Sequence, residues 1–203
     1  MHSLLIIAET EGRSISELME PYWQDLEVEE YCEGEVPEMD RQRFLDYYNE
    51  HTPGYHFSME QFDELYKAKG EAWNFNRWRK DDDGVWRIYS TANPDMKWDW
   101  YEVGGRWAGR LQLKEGVERM HPINFSWGWS EDVKKKVLEE RPLRADIARL
   151  GDISNLDTLS AGAVMVDGVW TDIEENYIEF TKVKEHLKDL PDDTVITCID
   201  YHM

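Results

Sequence analysis

The segment "SLLIIAE", residues 3–9, runs apolar without alternating, which is the pattern of a strand buried on both faces and therefore interior to a sheet. At the other end of the chain stands "TVITCIDYHM", residues 194–203. Its period of two places Ile196, Cys198, Asp200 and His202 on one face and Val195, Thr197, Ile199 and Tyr201 on the other. The first half of this segment is apolar on both faces, so it too predicts an interior strand. Strand, helix and strand at each end of the chain predict an α+β fold: a ferredoxin-like, βαβ-type antiparallel or mixed sheet holding the first and last strands. A helical pair and Trp-rich hairpins then elaborate it.

Between these ends the local signals are strong. Ser14 and Glu17 have capping-box spacing, and Pro21 ends or bends the helix they start. "LEVEEY", residues 26–31, alternates as an exposed or edge strand would. Asp40 can cap "RQRFLDYYNEH", which stops at Pro53-Gly54. Ser58 and Gln61 make a second capping box, with Phe57 and Phe62 as its staple and Gly70 as the stop. The turn Asp81-Asp82-Asp83-Gly84 leads into a strand over "VWRIYST". Ser130 caps "EDVKKKVLEE" before Pro142, and "RADIARL" reads as a short helix ended by Gly151. Asp167-Gly168 between apolar runs predicts a two-residue hairpin. Tyr177, Phe180, Val183, Leu187 and Leu190 form one helical stripe that Pro191 ends. The whole reads as one α+β domain over 1–203. The alternative is a subdivision near residue 70, into an acidic part with the helical pair (1–70) and a part with the hairpins and the C-terminal βαβ half (71–203).

Composition excludes several function classes. The 203 residues carry a net charge of −20, and residues 1–66 hold 17 Asp/Glu against 3 Lys/Arg, a local −14. So acidic a chain repels nucleic acid and anionic membrane and suits a protein partner with a basic surface. The two cysteines, Cys32 and Cys198, are too few and too far apart for a disulfide framework. With no basic leader and no long apolar run, the expected location is cytoplasmic.

The densest chemistry lies in "KWDWYEVGGRW", residues 97–107, within a tract (73–129) that holds eight of the ten tryptophans. Read as a tight hairpin turning at Gly104-Gly105, it pairs Val103 with Arg106, Glu102 with Trp107, Trp100 with Gly109 and Trp98 with Leu111. Trp98, Trp100, Trp107 and Leu111 then share a face, and Trp100 covers Gly109. What a hairpin does not require is Lys97, Arg106 and Arg110 beside those rings. Arg next to Trp also suits phosphorylated or planar ligands. The candidate binding residues are therefore Lys97, Trp98, Asp99, Trp100, Tyr101, Gly104, Gly105, Arg106, Trp107 and Arg110. The glycine spacing fits neither a dinucleotide-binding fingerprint nor a P-loop.

Asp200 and His202 stand two apart at a strand end, where a carboxylate can orient an imidazole; they are the catalytic candidates if the protein is an enzyme. His2, His51, His56, His121 and His186 have no metal-binding spacing, and no cofactor motif is present. Cys198 falls inside an apolar strand, a poor place for a nucleophile.

Three blocks, "LMEPYWQDLEVEEY", "NPDMKWDWYEVGGRW" and "LPDDTVITCIDYH", resemble a family of uncharacterised proteins from bacteriophages and Gram-positive bacteria. Its members share a Lys-Trp-Asp-Trp-Tyr…Gly-Gly-Arg-Trp segment and a terminal Asp-x-His. The resemblance implies that Lys97 to Tyr101, Gly104 to Trp107, Asp200 and His202 lie in family motifs, and it favours a phage accessory role in the host cytoplasm. The leading expectation is a non-enzymatic binding protein that inhibits or modulates a host protein, including an anti-phage defence system. The alternatives are a protein that sequesters or cleaves a nucleotide through the Trp/Arg segment and Asp200/His202, and a virion or scaffold component.

Overall fold

A computed structural model describes residues 1–52, 54, 56–69, 77–126, 128–173 and 182–203. Pro53 and Gly70 as helix stops, Trp73 and Trp127 of the tryptophan tract, and Tyr177 and Phe180 of the last stripe lie outside the described residues. In chain order the elements are β1 (His2–Glu9), α1 (Ile15–Met19), β2 (Tyr31–Glu35), α2 (Glu38–His51), α3 (Phe62–Lys69), β3 (Trp78–Lys80), β4 (Trp86–Ser90), β5 (Trp100–Val103), β6 (Leu111–Gln112), α4 (Glu131–Glu140), β7 (Arg144–Ala145), β8 (Ile147–Arg149), β9 (Ala163–Val166), β10 (Val169–Asp172), α5 (Lys182–Leu187) and β11 (Val195–His202). The fold is α+β, in two compact units: Met1–Leu26 with Pro94–Met203, and Glu27–Asn93.

The first unit is built on a mixed sheet in the order β10-β9-β1-β11-β5, with β8 also pairing β11. The two apolar end segments are its interior strands: β1 lies antiparallel to β11 and parallel to β9. Leu4, Ile6, Ala8, Ile196 and Cys198 enter one core, and Leu5, Ile7 and Ile199 enter another on the opposite face. Each such buried aliphatic side chain stabilises by about 1.5–3 kcal/mol, which explains why this strand pair organises the unit. The Ser14–Glu17 capping box starts α1, which buries Leu18 and Met19, and Pro21 sits in a 3-10 turn over Glu20–Tyr22. The β9–β10 hairpin turns at Asp167 (φ 46°) and Gly168 (φ 84°), both left-handed as its turn type requires. The ferredoxin-like detail is not confirmed. In that topology the parallel neighbour of the first strand is the second strand of the central hairpin; here it is β9, the first strand of its hairpin.

The second unit has an antiparallel sheet, β2-β4-β3, with α2 and α3. Its core is aromatic: Phe44, Tyr48, Phe62, Tyr66, Trp78 and Trp86 with Val36, Leu45 and Leu65. Ser58 and Gln61 form the expected capping box.

Several local expectations are corrected. Residues 26–30 form no strand; pairing begins at Tyr31 and carries a bulge between Cys32 and Gly34. Asp40 lies in the first turn of α2, whose N-cap is Pro37. "RADIARL" forms β7 and β8 rather than a helix, because Ala148 pairs with Ile196 and buries in the sheet's core. The hairpin at Gly104-Gly105 does not form. Trp100–Val103 pairs with the outer edge of β11, and Leu111–Gln112 pairs with β7. An open edge on an interior strand offers a whole ladder, whereas a two-glycine turn offers only a local one.

Candidate functional site

The sheet ends in a row of chemistry. Register places His2 opposite His202 and His202 opposite Trp100; one step inward, Leu4 faces Asp200 and Asp200 faces Glu102. Because the side-chain period is two, His2, His202, Trp100, Asp200 and Glu102 all project to the same face. The apolar rows of that face thus give way to two histidines, a tryptophan and two acids at the sheet's end.

Each histidine is held by a carboxylate. His2 Nδ1 lies 2.9 Å from Asp200 Oδ1, and His202 Nδ1 lies 2.9 Å from Asp99 Oδ1. An ionised carboxylate only accepts, so Nδ1 is the donor in both pairs, and each neutral ring keeps Nε2 as its free basic nitrogen. Neither Nε2 has a partner among the described residues. The two rings are 5.2 Å apart between centroids, and His2 also meets Trp100 edge-on at 5.7 Å. Asp200 is fully buried, yet His2 and His202 keep 27% and 40% of their side-chain surface exposed. Asp200 and His2 thus have the expected positions of an orienting group and the group it presents, whereas Asp99, which holds His202, is itself 39% exposed.

The glycine pair explains how Asp200 is buried. The chain passes over it so closely that a Cβ on Gly105 would lie 2.8 Å from Asp200 Cβ, and one on Gly104 would lie 2.4 Å from Asp146 Oδ2. Both glycines have positive φ, at 57° and 74°. The Arg106 backbone N–H then donates to Asp200 Oδ2 at 2.9 Å. Below the site, Asp146 accepts from the N–H groups of Gly109 (2.5 Å) and Asn124 (2.7 Å). Burial pushes the Asp146 carboxyl up despite these donors, and the nearby Glu102 charge adds to that rise. Glu102 Oε2 is buried without a hydrogen-bond partner among the described residues. Burial, with the Asp146 charge, also pushes the Cys198 thiol up, so it is no nucleophile.

The predicted residues therefore divide. Asp99, Trp100, Gly105, Arg106 (through its backbone), Asp200 and His202 meet at the end of the sheet. Asp200 and His202 share a face but do not pair with each other: Asp200 holds His2, and His202 is held by Asp99. Gly104 lies under the same loop against Asp146. The remaining candidates do other things. Lys97 pairs with Asp172 at 2.7 Å, while burial pushes the Asp172 carboxyl up and hydrogen bonds from Lys97 and Trp170 win by holding it low. Trp98 donates Nε1–H to the Met19 carbonyl and meets Tyr101 edge-on. Burial pushes the Tyr101 hydroxyl pKa up. The expected single face of Trp98, Trp100, Trp107 and Leu111 does not form: Trp107 packs on the core that holds Leu111, Trp98 packs on the core of the opposite face, and Trp100 stands beside His2. Arg110 donates to Ser160 at 3.1 Å. Gly109 is covered by Arg144 and Ile123, and Trp100 is 43% exposed. Of the basic set, only the Arg106 guanidinium is exposed with no ion pair or side-chain hydrogen bond among the described residues.

Sequence reasoning missed His2, Glu102, Asn124 and Asp146. His2 could have been found by aligning the two end strands antiparallel at full length, which sets residue 2 against residue 202. Among the described residues no group of three or more His, Cys, Asp or Glu side chains is placed to hold a metal ion. Among them, too, no helix is long and apolar enough to cross a membrane. Comparisons with protein-family models, with curated proteins and with solved structures gave no match for this chain.

Proposed function

We propose that the first unit binds a nucleotide and cleaves a phosphodiester or phosphoanhydride bond in it, with His2 and His202 as the acid/base pair. The observation that carries this reading is the pair of imidazoles 5.2 Å apart, each oriented by its own carboxylate with Nε2 left free. One neutral ring takes the proton of the attacking hydroxyl or water at Nε2. The other, as imidazolium, delivers its proton to the departing oxygen, so one proton enters the pair and one leaves it in each turnover. Arg106 offsets charge on the phosphoryl oxygens, and the exposed face of Trp100 stacks the base.

The test is turnover of a panel of mono-, di- and cyclic nucleotides, together with thermal shift. A ligand at 100 times its Kd stabilises by ~2.7 kcal/mol. His2→Ala and His202→Ala should each lower kcat about 10²–10⁴-fold, and the wild-type pH profile should be bell-shaped, since one ring must be neutral and the other charged. Absence of both turnover and stabilisation across the panel rejects the reading. Stabilisation without turnover reduces it to nucleotide sequestration, in which Arg106→Ala abolishes the shift and His202→Ala does not.

A second reading rests on the second unit. Glu27, Glu29, Glu35 and Glu38 are exposed and have no partner among the described residues. They suit a non-enzymatic role of phage-accessory type, in which this acidic surface engages a basic surface on a host protein and inhibits it, a defence protein included. Changing all four to Gln should abolish retention of a host protein that wild type holds at low salt and releases at high salt; unchanged retention rules the surface out.

A further inference from the structure

A groove of about 350 Å³ in the first unit is lined by Ser16, Glu17, Glu20, Trp23, Trp98 and Tyr101. It takes no part in the histidine chemistry and rests on neither reading above. Its walls are rings. Trp23 and Trp98 lie nearly parallel, 22° between planes and 6.3 Å between centroids, and Tyr101 stands perpendicular to Trp98 at 4.8 Å. The arrangement is built rather than incidental. The Trp98 indole is fixed by its bond to the Met19 carbonyl at 2.9 Å, and the backbone is tied on both sides: Lys97 donates to Tyr22 at 2.8 Å and Gln24 to Trp98 at 2.8 Å.

The rim is anionic. Glu17 is occupied by its capping box with Ser14, but Glu20 is exposed and has no partner among the described residues. Among the described residues no cation lines the groove, and neighbouring Lys97 is taken by Asp172. Aromatic faces with one free carboxylate attract a cation, and a planar, weakly hydrated guanidinium suits them better than an ammonium: it stacks flat on indole while its edge donates to the carboxylate. The net charge of −20 draws in basic segments of other proteins. We propose that this groove is a docking site for an arginine side chain presented by a basic segment of a partner protein.

The test uses the full chain and two-dimensional NMR of the indole N–H groups. The probes are a capped Gly-Arg-Gly peptide, the same peptide with citrulline, which keeps the shape and loses the charge, and the same with lysine. Saturable shifts of the Trp23 and Trp98 signals are expected with arginine, together with at least fivefold weaker binding by citrulline and by lysine. Glu20→Gln, an exposed change that leaves the fold intact, should weaken arginine binding at least fivefold, and Trp23→Ala should abolish it. No saturable shift with arginine, equal binding of citrulline, or no effect of Glu20→Gln overturns the proposal, and equal binding of lysine overturns the assignment to arginine.

Discussion

In the second unit Trp78 and Trp86 are 8% and 6% exposed, and both contact Phe62 and Tyr66, whereas Trp23 and Trp100 in the first unit are 38% and 43% exposed. The residue type is the same and the use is opposite. A unit of this size buries little surface per residue, so it relies on large rings to fill its core. The first unit has its aliphatic β1–β11 sandwich and leaves Trp100 beside histidines and Trp23 beside an acidic groove. Crowding of tryptophans in the sequence is therefore not one feature, and exposure separates its parts.

The contrast can be broken most strongly from the buried side. Trp86→Ala should destabilise by about 3–5 kcal/mol, through the cavity left and the loss of the Nε1–H bond to Asp63, and should melt the second unit first in chemical denaturation followed by circular dichroism. Next comes Gly105→Ala. The new methyl must displace Asp200 or the loop, costing about 1–3 kcal/mol, with a further ~1–2 kcal/mol for an alanine held at positive φ. His2 ring signals in NMR should move with it, because the carboxylate that orients them moves. Trp100→Ala sharpens the contrast by its smaller cost: stability should change by only about 1 kcal/mol, while nucleotide stabilisation in thermal shift is lost.

The smallest effect is electrostatic. Hydrogen bonds from Arg87 pull the Asp83 carboxyl down to about 2, so this pair's contribution is present above the ordinary value of 3.8 and is lost as pH falls through about 2. In an NMR carboxyl titration Arg87→Gln should return the Asp83 midpoint towards 3.8. The pair is exposed, and overall stability at neutral pH should hardly change.

The reach of the sequence differs by kind of signal. Both interior strands, the Asp167-Gly168 hairpin, the two capping boxes and the start of α4 at Ser130 were legible, since each depends on residues a few positions apart. The partner of β5 was not. Gly-Gly between two strand-like runs predicts a hairpin, and nothing nearby in sequence shows that β11 offers a free edge roughly a hundred residues later. "RADIARL" misled for the same reason: three residues suffice for β8 only because Val195–Thr197 are already in place to receive them.

What the sequence alone determined is the chemistry available and its local geometry: apolar end strands, acids, tryptophans, and Asp200 with His202 on one side of a strand. Tertiary structure alone decided the pairings. It gave Asp200 to His2 and His202 to Asp99, took Lys97 out of use, and laid the glycine pair over a carboxylate instead of at a hairpin tip. The physical reason is that a strand's periodicity tells which way its residues point, while strand register across nearly the whole chain decides what each of them meets.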